Sequence, residues 1–399
     1  MEQYGSYDLL EQIGIGGMAE VYLARHTGVE GFEKEIVIKR IRPHLTELPD
    51  FVNMFLGEAK LAAQLSHPNI VTIYDLGKIK ESYFIAMEYI AGRDLSAIIP
   101  RAKALGIPFP VEYAAKIASS VCEALYWAHS KTDARGTPLH IVHRDVSPEN
   151  IRVAWTGTVK ILDFGIAKAA TQLHETKAGE VKGKLIYMSP EQVKGKGLDQ
   201  RSDIFSLSSV LYECLTGLKL FSGDNDLAVM NNIIEGKIYP PSYFRDDVPE
   251  EIETIVMKGL EQDRRRRYQS AFDMQFDIDQ FLAGNDFSPS NVHLANFMKQ
   301  LFKDDIEKEQ ERRARHDSGS AERRPTPPTS KPTPPPPPPE PIALELTGSA
   351  IQLDETGNGI RIPFSAEEVE GIKKLATASS QSPEDVVRDI IRHYLKFQR

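Results

Sequence analysis

The chain has 399 residues, 41% of them hydrophobic, and a formal net charge of −9. That is enough for two or three domains with a real core, while the acidic balance excludes a protein that holds nucleic acid by bulk electrostatics. Its two cysteines, Cys122 and Cys214, lie in apolar runs and read as buried reduced thiols of a cytoplasmic protein.

Met1-Glu2-Gln3-Tyr4 offers neither the basic nor the apolar region of a secretory leader, so none is expected. Strands are predicted over 7–14, 21–26, 35–41 and 83–89, where β-branched and aromatic residues lie between turn signals. From residue 111 the period becomes helical, with Ala115, Ala118, Val121, Cys122, Leu125 and Ala128 on one face. The most apolar run, 204–215, is too short to span a bilayer and reads as a buried helix, so no membrane partner is expected. A small β-rich lobe followed by a larger helical lobe, an α+β bilobal unit over 7–283, is the architecture these patterns predict.

Residues 284–310 read as an amphipathic helical extension through Leu294, Phe297, Met298, Leu301 and Phe302. Residues 311–341 hold eleven of the 26 prolines and read as a disordered, extended linker with a basic start. Residues 357–399 regain pattern: a short alternating strand over 359–364, then a helix opened by Ser365 and Glu368, then another opened by Ser382 and Pro383. A strand-helix-helix of this size buries little surface alone, so a homodimer through this module is expected.

The loop Ile13-Gly14-Ile15-Gly16-Gly17, closed by Val21, lies between two predicted strands, where glycines let backbone N–H groups approach phosphate oxygens. Alone it is a weak signal, because Gly-rich hairpins are common turns. Lys39 ends the next apolar strand; it is costly to bury unpaired, and Glu58 on the following helix is its natural partner. Taken alone, Lys39 would read as a snorkelling surface lysine. Further on, His143-Arg144-Asp145-Val146-Ser147-Pro148-Glu149-Asn150 precedes Asp163-Phe164-Gly165. This spacing of carboxylate, amide and second carboxylate suits phosphoryl transfer from Mg-ATP.

With these motifs in this order the chain resembles the protein kinase family, in particular the eukaryotic-like serine/threonine kinases of bacteria. The resemblance implies that Gly14 and Gly16 cover the phosphates, that Lys39 binds the α- and β-phosphates, and that Glu58 pairs with it. It makes Met87 the gatekeeper, with backbone groups of Glu88 and Ile90 for adenine. Asp145 becomes the catalytic base, and Asn150 and Asp163 the ligands of Mg2+, with Mn2+ as the alternative ion. Glu191 and Arg267 become a structural pair closing the activation segment, and Asp203 the brace of the catalytic loop. Arg144 and Lys168 would form a basic pocket for an activation-loop phosphate, with Thr171 and Thr176 as acceptors and Glu180 at the usual phosphothreonine place. Implied partners are protein substrates with Ser/Thr hydroxyls. The tail resembles a ribbon-helix-helix domain, but acids outnumber bases from residue 341 onward, so dimerisation is favoured over DNA binding.

Ala19, Val37 and Ser208 are mild departures from the family pattern, replacing a loop glycine, a strand alanine and a helix glycine. Ser147 is a larger one, because the family carries a lysine there. A charge about 4 Å from a phosphate oxygen is worth roughly 4 kcal/mol at an effective dielectric near 20. Losing that from the transition state would slow transfer about a thousandfold. Lys184 stands where the family has a threonine beside the catalytic aspartate, so it is expected to supply the missing charge; the bland alternative is an exposed loop lysine in a weakened enzyme. A nucleotide-binding pseudokinase is the competing class, against which stand Lys39, Asp145, Asn150 and Asp163, all present.

Overall fold

The computed structural model describes residues 2–28, 32–164, 185–284 and 287–321, with 344–347, 350–353, 362–363 and Lys374 beyond them. The chain divides into two compact units, Met1–Ser318 and Gly319–Arg399.

The first unit opens with β1 (Glu2–Tyr4), β2 (Tyr7–Ile15), β3 (Ala19–Thr27), β4 (Glu33–Ile41), β5 (Ile73–Ile79) and β6 (Ser82–Glu88). They form one antiparallel sheet in the order β1-β2-β3-β4-β6-β5, with α1 (Pro49–Ala62) between β4 and β5. The four expected strands are present. Two others are β1 and β5; β5 carries Asp75 and Gly77, which depress strand propensity. Gly77 is there because the Phe84 ring fills its side-chain space: a Cβ would lie 2.6 Å from that ring.

The helical part comprises α2 (Leu95–Ala104), α3 (Val111–His129), α4 (Pro190–Val193), α5 (Gln200–Thr216), α6 (Asp226–Glu235), α7 (Glu250–Gly259), α8 (Ala271–Gly284) and α9 (Asn291–Ala321). A further small sheet consists of β7 (Gly92–Asp94), β8 (Ile151–Ala154) and β9 (Val159–Ile161), with β8 beginning directly after Asn150. The predicted face of α3, from Ala115 to Ala128, is buried, as is the apolar run of α5. Among the described residues no helix is long and apolar enough to cross a membrane. Ser208, at a position expected to hold glycine, is buried and donates to the Ile204 carbonyl at 2.8 Å. Room for it comes from a glycine on the facing helix: a Cβ on Gly259 would come 1.9 Å from the Ser208 hydroxyl.

α9 buries Leu294, Phe297, Met298, Leu301 and Phe302, the face read from the sequence. It continues helically to Ala321, so Arg312 and Arg313, expected to begin a linker, are helical. In the second unit β10 (Leu344–Thr347) and β11 (Ala350–Leu353) form a hairpin that pairs with β12 (Ile362–Pro363). β12 falls inside the strand expected over 359–364; the two tail helices lie outside the described residues, apart from Lys374, which is helical and exposed.

Gly157, in the turn between β8 and β9, has φ +80°, and a Cβ on it would sit 1.8 Å from the Asn291 carbonyl oxygen at the start of α9. Gly157→Ala should therefore cost about 2–4 kcal/mol, combining backbone strain with overpacking. Gly136 has φ +82° but open space around it, so Gly136→Ala should cost only about 1 kcal/mol. Urea unfolding of the two variants checks the difference, and equal losses would contradict it.

Candidate active site

The Gly-rich hairpin joins β2 and β3, closed by the Gly16 N–H donating to the Ala19 carbonyl at 2.8 Å. A register shift between Gln12 and Gly14 bends β2 just before the turn, and Gly14 faces Val21. Ile13 and Ile15 are exposed on this hairpin, apolar side chains that lie outside the core. Lys39 lies mid-sheet, opposite Val21 on one side and Ile85 on the other.

The Lys39 ammonium lies 2.9 Å from Asp163 Oδ1. The two residues are 124 positions apart, so this pair joins the β-rich and helical parts. Glu58 lies on α1, but its side chain is outside the described residues. Asp163 has φ +40° and Arg144 φ +66°, left-handed conformations that side-chain-bearing residues rarely adopt and that cost about 1–3 kcal/mol each. Both are imposed by neighbours. Next to Asp163, Phe164 is buried, its ring 4.5 Å from that of His143. The Arg144 N–H donates to Asp203 Oδ1 at 2.8 Å, and its carbonyl accepts from Gln192 Nε2 at 2.9 Å.

His143 is fully buried; burial lowers its pKa, keeping the ring neutral. Its Nε2 contacts the Leu162 carbonyl at 2.9 Å and must carry the proton, while Nδ1 accepts from the Asp145 N–H at 3.3 Å. Asn150 Nδ2 donates to the Asp145 carbonyl at 2.7 Å and to Asp145 Oδ2 at 2.9 Å. Both amide hydrogens are thus spent on Asp145, which leaves the amide oxygen as the group able to face a cation. That oxygen and the Asp163 carboxylate are hard donors that fit a Mg2+-type ion, which needs only one or two such ligands when phosphates supply others. Among the described residues there is no group of three or more His, Cys, Asp or Glu that could hold a metal without such help. Ser147 is buried, and its hydroxyl finds no hydrogen-bond partner among the described residues.

At the hinge, the Glu88 N–H donates to the Thr72 carbonyl at 2.9 Å, and Arg152 Nε donates to the Ile90 carbonyl at 2.8 Å. Neither bond uses the Glu88 carbonyl or the Ile90 N–H. Met87 is buried between β4 and β5, opposite Val37 and Ile73.

Asp203 accepts from the His143 and Arg144 N–H groups, each at 2.8 Å, and from His129 Nε2 at 2.7 Å. Burial raises its pKa, but His129 and the backbone donors outweigh burial and the net shift is downward. Glu191 behaves alike: burial raises its pKa, and Arg267 and Ser202 bring it below the ordinary value. Arg267 grips it in a fork at 2.6 and 2.9 Å. Gln192, His129 and Glu213 are members that sequence reasoning missed. Glu213, a lone acid in an apolar run, was the available signal; it accepts from the Tyr187 hydroxyl at 2.5 Å. Lys168, Thr171, Thr176, Glu180 and Lys184 lie outside the described residues.

Removing Arg267 strands a buried carboxylate, so Arg267→Ala should destabilise by about 3–5 kcal/mol. Because Glu191 and Asp203 have lowered folded pKa values, the stability they contribute is complete above ordinary carboxylate values and lost as pH falls through the folded ones. Thermal melts should therefore hold level near neutrality and drop below about pH 4.5. Replacing both Glu191 and Arg267 by Leu should flatten part of that drop; an unchanged acid limb would contradict the assignment.

A family model for the protein kinase domain matches residues 7–280. The tyrosine-protein kinase MasK of Myxococcus xanthus (strain DK1622) is 44% identical over 304 residues, covering 76% of this chain and 47% of that protein. The serine/threonine-protein kinases PknB of Mycobacterium leprae (strain TN) and PrkC of Bacillus subtilis (strain 168) are each 36% identical. They cover 68% and 69% of this chain and 42% and 40% of their own lengths. The chain thus spans less than half the length of these relatives. The kinase domain of Mycobacterium tuberculosis PknI, in a crystal structure, shares the fold with a TM-score of 0.52 at 24% identity, over 70% of this chain and 97% of that one. A curled antiparallel sheet over a helical lobe, the ordered motifs between them and a match over most of the chain lead to one conclusion: the chain belongs to the protein kinase family.

Proposed function

We propose that this chain is a cytoplasmic serine/threonine protein kinase that transfers the γ-phosphate of Mg-ATP to hydroxyls of protein substrates and of itself. The observation that carries it is the joint placement of Asp145, Asn150, Asp163 and Lys39, with Asn150 orienting Asp145 and Lys39 reaching Asp163. Asp145 would accept the proton of the attacking hydroxyl as its oxygen bonds to the γ-phosphorus and the bond to the β–γ bridging oxygen breaks. Asn150 and Asp163 would hold the divalent ion, which when bound neutralises phosphate charge. Lys39 would orient the α- and β-phosphates, while the hinge backbone at Glu88 and Ile90 would take adenine beneath Ile13, Ile15 and Val21. Free, buried Cys122 and Cys214 suit a reducing compartment.

Lys184 is assigned the role of the lysine missing at Ser147. The orphaned Ser147 hydroxyl supports this, because a buried unpaired hydroxyl costs about 1–3 kcal/mol and an incoming ammonium would relieve it. Arg144 has a buried Nε without a partner among the described residues, which supports the pocket for an activation-loop anion that Lys168 would complete. Residues 357–399 are proposed as a dimerisation module of ribbon-helix-helix type, with its acid excess weighing against DNA.

Purified full-length chain with Mg-ATP should autophosphorylate, with mass spectrometry finding phosphate on Ser or Thr, Thr171 and Thr176 included, and Asp145→Asn silent. Phosphate confined to tyrosine would instead side with the activity in MasK's name. Lys184→Ala should lower the rate about a thousandfold, and Lys184→Thr with Ser147→Lys should recover most of it; an unimpaired single variant would refute the relocation. Sedimentation should give a dimer that is lost when the chain ends at residue 341.

A further inference from the structure

α9 lies against the back of the nucleotide hinge and is built in two parts. Before Phe302 it packs on the helical lobe, with Phe297 5.3 Å from the rings of both Phe109 and Tyr113. At Phe302 the backbone leaves helical geometry, with φ −130° and ψ 34°. Arg101 Nε donates to the Leu301 carbonyl at 3.0 Å beside this break. Beyond it the helix contacts both lobes. Asp305 meets Arg93 at 2.9 Å, and Arg313 meets Glu35 on β4 at 3.0 Å.

Glu309 is central to this second part. Its Oε1 accepts from the Tyr89 hydroxyl at 3.0 Å, and its Oε2 accepts from the Trp155 indole N–H at 2.8 Å. Tyr89 is the hinge residue between Glu88 and Ile90, whereas Trp155 follows β8 in the helical lobe. One largely buried carboxylate therefore takes a donor from each side of the nucleotide cleft. Arg312 and Arg313 lie over the Tyr89 ring at 5.7 and 5.8 Å. Arg312 also meets Glu35, which shares a strand face with Lys39 four residues on. Burial, then the Glu309 charge, pushes the Tyr89 hydroxyl up to about 12, so it stays a donor throughout the working pH range.

We propose that α9 is a hinge clamp for the nucleotide pocket and that Glu309 is its positioning residue. By holding Tyr89 and Trp155 together, it sets the hinge backbone at the separation that adenine requires. The inference rests on the ATP-dependent reading of the site, and it concerns nucleotide affinity rather than the transfer step, because Glu309 touches neither Asp145 nor Asn150.

The test uses full-length chain and two readouts: calorimetric affinity for Mg-ADP, which needs no phosphoryl transfer, and KM and kcat for ATP. Glu309→Ala should weaken Mg-ADP binding and raise KM about tenfold, as for one lost charge-assisted bond, with kcat within about twofold. Glu309→Gln should stay within about threefold, since an amide can accept from the indole and donate to the tyrosine hydroxyl. Tyr89→Phe should weaken binding, and adding it to Glu309→Ala should change nothing further. Unchanged Mg-ADP affinity in Glu309→Ala, additive effects in the double variant, or a fall in kcat at constant KM would overturn the clamp. Should Glu309→Ala fail to fold, Tyr89→Phe decides alone, with unchanged affinity counting against the proposal. Wild-type chain that binds Mg-ADP yet transfers no phosphate would sink the kinase assignment and leave the clamp standing.

Discussion

A single buried carboxylate, Asp203, holds the loop 143–150 to the helical core. It is 1% exposed and accepts from two consecutive backbone N–H groups, those of His143 and Arg144, and from the His129 ring. A carboxylate in this setting is tolerable only because donors surround it. The same bonds hold Arg144 in a left-handed conformation that the chain would otherwise avoid. Once Arg144 is turned, Asp145 follows at a defined place, and Asn150 can close the loop by donating to its carboxylate. The geometry of the site therefore depends on an aspartate in a helix sixty residues away in sequence.

The short helix α4 is tied to the same helix. Glu191 and Ser202 meet beside Arg267, and Gln192 reaches back to the Arg144 carbonyl. The loop 143–150 and helix α4 are thus braced together, with α5 and Arg267 supplying the anchors. This arrangement suits a site whose remaining parts, the Gly-rich loop and the lysine strand, belong to the other lobe. Among the described residues Lys39 with Asp163 and Lys160 with Glu88 join the two lobes, and α9 adds a further connection behind the hinge.

Much of this was legible in the sequence because it rests on short-range pattern. Strand alternation, the period of α3 and the ordered motifs each depend on residues close together in the chain. β5 was missed because Asp75 and Gly77 break its pattern and its Gly77 makes sense only against Phe84. Ser208 read as a plain departure, and only the facing Gly259 explains why it fits. Arg312 and Arg313 read as the start of a linker because the prolines beyond them dominate the composition; their partners, Glu35 and Glu309, lie on another strand and one turn earlier.

By itself the sequence determined the family and the order of the two lobes, and it named the residues expected to handle a triphosphate, since those readings follow from residue chemistry at characteristic spacings. Tertiary structure decided which of those residues meet. Lys39 with Asp163, Asp203 with the catalytic-loop backbone and Glu309 between Tyr89 and Trp155 are contacts over 124, 60 and more than 150 positions. Nothing in local pattern specifies such pairs, because they form only when packing brings distant elements together and burial makes an unpaired polar group costly.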